Sequence, residues 1–415
     1  MEEPIVPPIP YPRDHLRSAY EYLGSQGFTP REVVPLRSSS LQTAISDPFL
    51  FYLTNKLCMV PMTNASEALV YGSWFHALFE SLDKAPFEAV SSFGAIRLAA
   101  RLSELETQMG QWGASSEEIG AAKEFETESY KKALTMFQCV TNIPFYVSFL
   151  GTRVTLREFI SRFRILASEF ELTYTDPAHP TVPIVAVYDL LLYEEQSKGV
   201  WIMDPKTTSK TAKERLAQVP TDFQTTLYPD VLNKQFEFVR EKFSLPKDAF
   251  FGGMIHVALQ KPTIRFDKRV DRPFVWEQHT ITRGPRKGMI DLKKNYTSDV
   301  PSLEIFLERL KRWYAATEEY ADERPEREAF PVIDLSFSSA PYCLEGLAYI
   351  HQPRMEYLFE MCERAPYPGL YLKNPGPDLP LFYRLFYHTP YDRWTDIARQ
   401  YRLVRHPRPF GDSNE

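Results

Sequence analysis

The spacing of apolar positions changes character along this chain. Through the first third, hydrophobic residues recur at helical intervals. RSSSLQTAISDPFLFYLTNKL reads as a helix opened by serines and broken at Pro48, and NASEALVYGSWFHALFESLDK as a second helix, with Asn64 and Glu67 placed as a capping box. A short helix is expected around Arg13–Gly27, and the helical period continues from about 88 to 168, with charged faces such as EEIGAAKEFETESYKKAL. The pattern then shortens. ELTY, IVAVYDLLLY and GVWIMD are compact apolar runs punctuated by Asp-Pro, His-Pro and Ser-Lys-Gly, which is the signature of strands joined by turns. TDFQTTLYPDVLNKQFEFVREKF returns to the helical period, AFFGGMIHVALQK is another apolar strand, and SLEIFLERLKRWYAATEEYADERPERE and the aromatic-rich remainder read as helices. Helix, three strands, helix and strand make a mixed α/β core.

Composition narrows the class. With 415 residues, 44% hydrophobic and 25% charged, the chain has material for two or three domains or one elaborated core, and it is not a disordered, collagenous or coiled-coil sequence. No apolar run reaches the roughly 18 residues of a membrane span. The proline-rich, acidic start MEEPIVPPIPYPR lacks the form of a targeting peptide, so a cytoplasmic protein with no membrane partner is expected. Cys58, Cys139, Cys343 and Cys362 are too scattered for a disulfide framework or a zinc ribbon, and reduced thiols are expected. The net charge is −6, yet residues 261–294 hold ten basic against four acidic side chains, a local net of +6. Such a block suits either a phosphate-binding strip or a solvated loop.

The candidate chemistry sits on the strands. Asp189 is expected near the end of one strand and Asp204 at the end of the next, so facing positions bring two carboxylates together. Lys206 shares a strand face with Asp204. Two carboxylates and an ammonium at one point suit metal-assisted phosphodiester hydrolysis, with the acids holding a hard cation, the backbone carbonyl of Pro205 as a further ligand, and the lysine orienting water or stabilising charge at phosphorus. Asp291-Leu292-Lys293 is a rival with the same spacing but without a supporting strand acid. Gln224 and Tyr228 are i,i+4 neighbours on a helix, as are Gly72, His76 and Glu80 on an earlier one.

In order, GSWFH, YDLLLY, IMDPKTT and QTTLY resemble the RecB-like branch of the PD-(D/E)XK nuclease superfamily, which shows a G-xxx-H helix, a strand aspartate, a D/E-x-K strand and a Q-xxx-Y helix. SSSLQTAISDPFLFYL resembles the opening helix of that branch, and the strand ending VALQK its next core strand. The resemblance implies a restriction-endonuclease-like α/β fold, with a mixed central sheet flanked by helices and with helical N-terminal, inserted and C-terminal elaborations. On that pattern residues 1–62 are an N-terminal helical segment, 63–265 the core with an insertion at about 88–168, and 266–415 a basic linker and helical C-terminal region. It implies His76 as metal ligand or water-positioner, Asp189 and Asp204 as metal-binding carboxylates, Lys206 as catalytic lysine, and Gln224 and Tyr228 lining the site beside the DNA. Glu80 is a candidate supporting partner of the metal site. The implied activity is a Mg2+- or Mn2+-dependent DNA exonuclease of recombination, repair or phage DNA metabolism, with Lys210, Lys213 and Arg215 beside the site, and Lys261 and Arg265 in the basic block, tracking the backbone.

Many members of the branch carry an iron–sulfur cluster. Here Asp47-Pro48 stands where those members show Cys-Pro, and no close downstream cysteine triplet exists, so no cluster is expected. No GxxxxGK[ST] loop occurs either, which leaves any unwinding to a recombination or helicase partner. Two other readings stand beside this one: a non-cleaving DNA-binding or assembly subunit on the same fold, and an unrelated helical interaction protein.

Overall fold

A computed structural model describes most of residues 31–315 and 332–363, together with 400 and 403–405. The expected helix at Arg13–Gly27 and the Asn64 cap lie outside the described residues. Helix α1 (Ser38–Ser46) ends at Asp47, whose Oδ1 accepts a hydrogen bond from the Leu50 amide and caps the next short helix at Pro48. Three longer helices follow: α2 (Glu67–Glu80), α3 (Val90–Gln111) and α4 (Ser116–Val140). Ser115 and Glu118 form a reciprocal capping box at the start of α4.

The central sheet has five strands. β1 (Arg164–Thr175), β2 (Pro183–Glu194) and β3 (Gly199–Thr208) form an antiparallel meander. Helices α5 (Ala212–Leu216) and α6 (Gln224–Lys234) lead to β4 (Phe250–Gln260), which pairs parallel with β3. An exposed ribbon of β5 (Phe274–Thr280) and β6 (Ile290–Tyr296) and helix α7 (Leu303–Ala315) precede β7 (Ile333–Ser339), which closes the order β7-β4-β3-β2-β1. Helix α8 (Gln352–Glu363) follows β7. The expected mixed α/β sheet flanked by helices is what the chain forms.

Each face of the sheet has its own core. Leu227, Val231 and Leu232 of α6 pack with Ile184, Ala186, Tyr188 and Ile202 on one face. Phe75, Leu78 and Phe79 of α2, Phe137 of α4 and Trp313 of α7 pack with Leu190, Leu192, Met203 and Val257 on the other. Phe79 and Phe137 meet edge to face at 5.0 Å between ring centres, an arrangement that adds specificity to simple area burial.

Two expectations need correction. The helical period does not last to 168: Phe145–Val147 pairs antiparallel with Thr152–Val154, and β1 already begins at Arg164. RILASE has a helix-tolerant composition, but ladder pairing with β2 overrides that weak preference. The stretch after 330 is not wholly helical, since IDLSFSS is strand β7. Its period-2 pattern is short and half-polar because it lies on the sheet edge.

A Gly-Gly pair fixes the register of β4. The ladder with β3 slips between Val200↔Phe251 and Trp201↔Gly253, leaving Gly252 as the extra residue of a bulge. A side chain at Gly252 would run into the Trp201 indole, at 2.6 Å. Gly253 has φ +138°, and a Cβ there would lie 2.0 Å from the Ser338 carbonyl oxygen. With this slip in place, Asp204 stands opposite His256. Gly253→Ala is therefore expected to lower unfolding stability in urea by about 2 kcal/mol or more, as at other strained or overpacked positions. Gly72→Ala, where an added Cβ meets nothing within 4 Å, is expected to raise it by about 0.5–1 kcal/mol through helix propensity.

Candidate active site

Strand alternation slips by one at Asp189. Ile184, Ala186 and Tyr188 face the α6 side, yet beyond Asp189 it is Leu191 and Tyr193 that face that side, while Leu190 and Leu192 face α2. The ladder with β1 passes from Phe170↔Tyr188 to Ser168↔Leu190 without a Glu169–Asp189 pair, and Glu169 takes a positive φ of 46°. For a non-glycine residue that conformation costs about 1–2 kcal/mol. On the other side, the ladder between β2 and β3 runs only as far as Leu190↔Met203. One step further Asp189 and Asp204 would pair, but there the strands part. β2 goes on pairing with β1 and β3 with β4, so both acids sit in the crotch of a fork. Neither acid ends its strand as expected; each lies inside one, and the fork supplies the opening that a strand end would have given.

Into this fork come side chains from two helices. Lys206 Nζ lies 2.7 Å from Asp204 Oδ1 and 3.7 Å from Asp189 Oδ2. His76 Nδ1 of α2 is 3.4 Å from Asp189 Oδ1. Gln224, at the first position of α6, donates through Nε2 to Asp204 Oδ1 at 3.1 Å. Tyr228, one turn on, packs edge to face on Tyr188 at 5.4 Å between ring centres. Burial pushes its hydroxyl up to about 12, and its electrostatic neighbours include Lys206, Asp189 and Ser38 of α1. Pro205 is buried between Asp204 and Lys206. His76, Asp189, Asp204, Lys206, Gln224 and Tyr228 therefore meet in one place.

The electrostatics follow from crowding two acids around one ammonium. Burial, then the Asp189 charge, pushes the Asp204 carboxyl up to about 6 against the pull of Lys206. Burial would also raise Asp189, but Lys206 and His76 outweigh it and hold that carboxyl below the usual range. Burial alone would lower Lys206, and the two acids reverse this and keep it well above its ordinary value. At neutral pH Lys206 is thus a fixed cation.

The donor set suits a hard divalent ion. Asp189 Oδ2 is buried with no hydrogen-bond partner, and the raised Asp204 carboxyl lacks enough positive charge nearby to favour its ionised form fully. Among the described residues no three His, Cys, Asp or Glu side chains converge as a closed metal cage. Two carboxylates with open positions for water and phosphate oxygens is the arrangement magnesium-sized ions use.

Other candidates are placed elsewhere. Glu80 pairs with Arg97 of α3 rather than with the site. Arg215 pairs with Asp222 at 2.9 Å. Lys210 and Lys213 are exposed just beyond β3. Lys261 is half-buried with its ammonium 5.3 Å over the Tyr71 ring, and its pKa is lowered by burial. Arg265 is exposed and lines an open basic hollow of about 720 Å³ with Lys268, Arg269 and Arg309. The rival Asp291 and Lys293 lie exposed on the β5–β6 ribbon, opposite His279 and Glu277.

Two supports escaped the sequence reading. Asp222 accepts the backbone N–H of Gln224 at 3.1 Å while it holds Arg215, so it fixes the start of α6 and with it the Gln224 amide. His256, opposite Asp204, is buried and accepts or donates through Nε2 to Ser338 Oγ at 3.0 Å; burial drops its pKa to about 4. A lone imidazole amid the apolar run FFGGMIHVAL was the available signal.

Because Asp204 is destabilised as an anion, Asp204→Asn is expected to raise the thermal midpoint at pH 7. The sign follows from a folded-state pKa raised above the unfolded value: the parent regains this stability as pH falls through about 6, so the gap between the two proteins narrows there. Differential scanning calorimetry across pH 5–8 reads this. A second expectation is that Asp222→Ala slows turnover by about tenfold or more with a smaller change in KM, because it loosens Gln224 without removing a carboxylate.

A search of curated proteins gave no match. The family model of the PD-(D/E)XK nuclease superfamily matches residues 38–328, which runs from α1 through the forked strands and α6 to beyond α7. With well over half of its length matched and with the acids and lysine of D-x-K at the fork of the sheet, the chain belongs to the PD-(D/E)XK nuclease superfamily.

Proposed function

We propose that this protein is a metal-dependent deoxyribonuclease of the RecB-like branch, acting as an exonuclease on single strands or duplex ends in recombination, repair or phage DNA metabolism. The observation that carries this is the Asp189–Lys206–Asp204 cluster in the strand fork, flanked by His76 on one side and Gln224 and Tyr228 on the other. Asp189 and Asp204, with the Pro205 carbonyl, would hold Mg2+ or Mn2+, which supplies Lewis-acid polarisation of the phosphodiester and an acidified water.

The chain's own groups divide the remaining work. Lys206, kept protonated by the two acids, is unsuited to act as a base; it holds the attacking water and offsets charge growing on the phosphate oxygens. The Gln224 amide fixes the Asp204 carboxylate in one orientation, which keeps the donor set preorganised. His76 orients Asp189 or a water beside it. Tyr228 stays a neutral phenol at physiological pH and offers a hydroxyl to the strand near the scissile bond. Lys210 and Lys213, exposed just beyond the end of β3, steer the phosphate backbone towards this cluster.

The test is degradation of end-labelled single- and double-stranded DNA with Mg2+ or Mn2+. The parent is expected to release nucleotides, to stop on chelation, and to lose at least about a hundredfold in rate in Asp204→Ala and in Lys206→Ala. Covalently closed circles are expected to survive; cutting them as fast as linear strands would overturn the exonuclease assignment. A parent that binds DNA but never cuts it would make the protein an assembly subunit on a nuclease fold.

A further inference from the structure

The β5–β6 ribbon carries a surface that the catalytic cluster does not use. It is closed at its root by Thr297 N–H donating to the Pro273 carbonyl and near its tip by Ile281 N–H donating to Met289. Its root is held rigidly. Asp271, fully buried, takes a two-pronged ion pair from Arg309 of α7 at 2.8 and 2.7 Å, and accepts the Asp267 amide at 2.7 Å. Beyond this clamp the ribbon projects into solvent.

Register and alternation sort its side chains. Phe274, Trp276, Gln278 and Thr280 face the same way as Tyr296, Lys294, Leu292 and Ile290, to which they pair. That face is apolar and aromatic, yet it is uncovered: Trp276 is 55% exposed, Leu292 58% and Ile290 68%. Cations are interleaved with the rings. Lys294 Nζ lies 4.8 Å from the Phe274 ring centre and 5.3 Å from Trp276, and the Arg272 guanidinium lies 4.3 Å from Tyr296 while it donates to Asp299 Oδ1 at 2.7 Å. The tip adds Arg283 and Lys287, both exposed. This concentration of positive charge stands on a chain whose net charge is −6.

We propose that this face binds single-stranded DNA, with bases stacking on Trp276 and its neighbours and phosphates held by Lys294 and the tip cations. The inference rests on the nuclease reading and adds where the strand is gripped outside the cleavage cluster. Stacking needs the flat faces of bases, which a duplex hides and an unpaired strand offers. A second copy of the chain is a poorer occupant, because self-pairing would set Lys294 and Arg272 against their own counterparts. Position agrees as well. β3 and β4 run parallel, and Lys261, the first residue after β4, donates its N–H to the Thr208 carbonyl at the end of β3. The segment leading to the ribbon therefore leaves the sheet at the end where Lys206 lies.

The experiment measures binding of a fluorescent twenty-residue oligothymidylate in the Lys206→Ala background with Mg2+, so that affinity is read apart from cleavage. Trp276→Ala is expected to weaken Kd about tenfold, and Trp276→Phe to restore most of it. Lys294→Ala is expected to reduce the slope of log Kd against log salt by about 0.7. Circular dichroism melting confirms that these exposed substitutions leave the fold intact. A Trp276→Ala protein that binds with the affinity of its background overturns the proposal, as does one that changes only oligomeric state. If the parent cuts and binds DNA while Trp276→Ala binds unchanged, the ribbon assignment alone falls. If the parent neither binds nor cuts, the nuclease reading falls with it.

Discussion

Two carboxylates share one ammonium in the crotch of a splayed strand pair, and the rest of the molecule is arranged to make that tolerable. Like charges at this separation repel strongly in a buried site. Lys206 offsets part of the repulsion, Gln224 and His76 satisfy part of what remains, and the excess is left standing in the raised Asp204 carboxyl. Hydrophobic cores on both faces of the sheet hold the strands firmly enough that they do not relax away from the strain. An incompletely neutralised pair of this kind is poised for a dication.

The fork and the slip at Asp189 are two halves of one device. Regular pairing on both sides of β2 would have set Asp189 on one face or the other and filled the space beside Asp204 with a ladder. Glu169, by accepting a positive φ, lets β1 follow β2 across the irregularity without losing the pairs on either side. The Gly252-Gly253 bulge does the corresponding work for β4, shifting the register that brings His256 opposite Asp204. Local strain near the site is thus spread over residues that do not touch the reacting groups.

Much of this was legible in the sequence because it rests on short-range periodicity. Asp204 and Lys206 two apart on a strand, and Gln224 and Tyr228 four apart on a helix, share faces for reasons of backbone geometry alone. The succession of the first four sheet strands along the chain followed from apolar runs and turn residues. What escaped depends on pairing between distant segments. β7 carries too little apolar pattern to announce itself, and only its partner β4 defines it. The partners of Glu80, Arg215 and Lys261 could not be read because charged side chains pair with whichever group the fold supplies, here Arg97, Asp222 and the Tyr71 ring. That part of the basic block forms a ribbon could not be read either, since it rests on pairing between two weakly patterned strands.

The meander of β1, β2 and β3 has a bearing on how the chain reaches its native state. Its pairings join segments a few residues to about thirty apart along the chain, so their closure is entropically cheap and can precede the packing of α2 and the crossover to β4. The acids would then meet early, before His76 or Gln224 arrives. The countercharge travels with them, since Lys206 lies two positions from Asp204 on the same strand, and nascent hairpin collapse is spared a confrontation of bare anions.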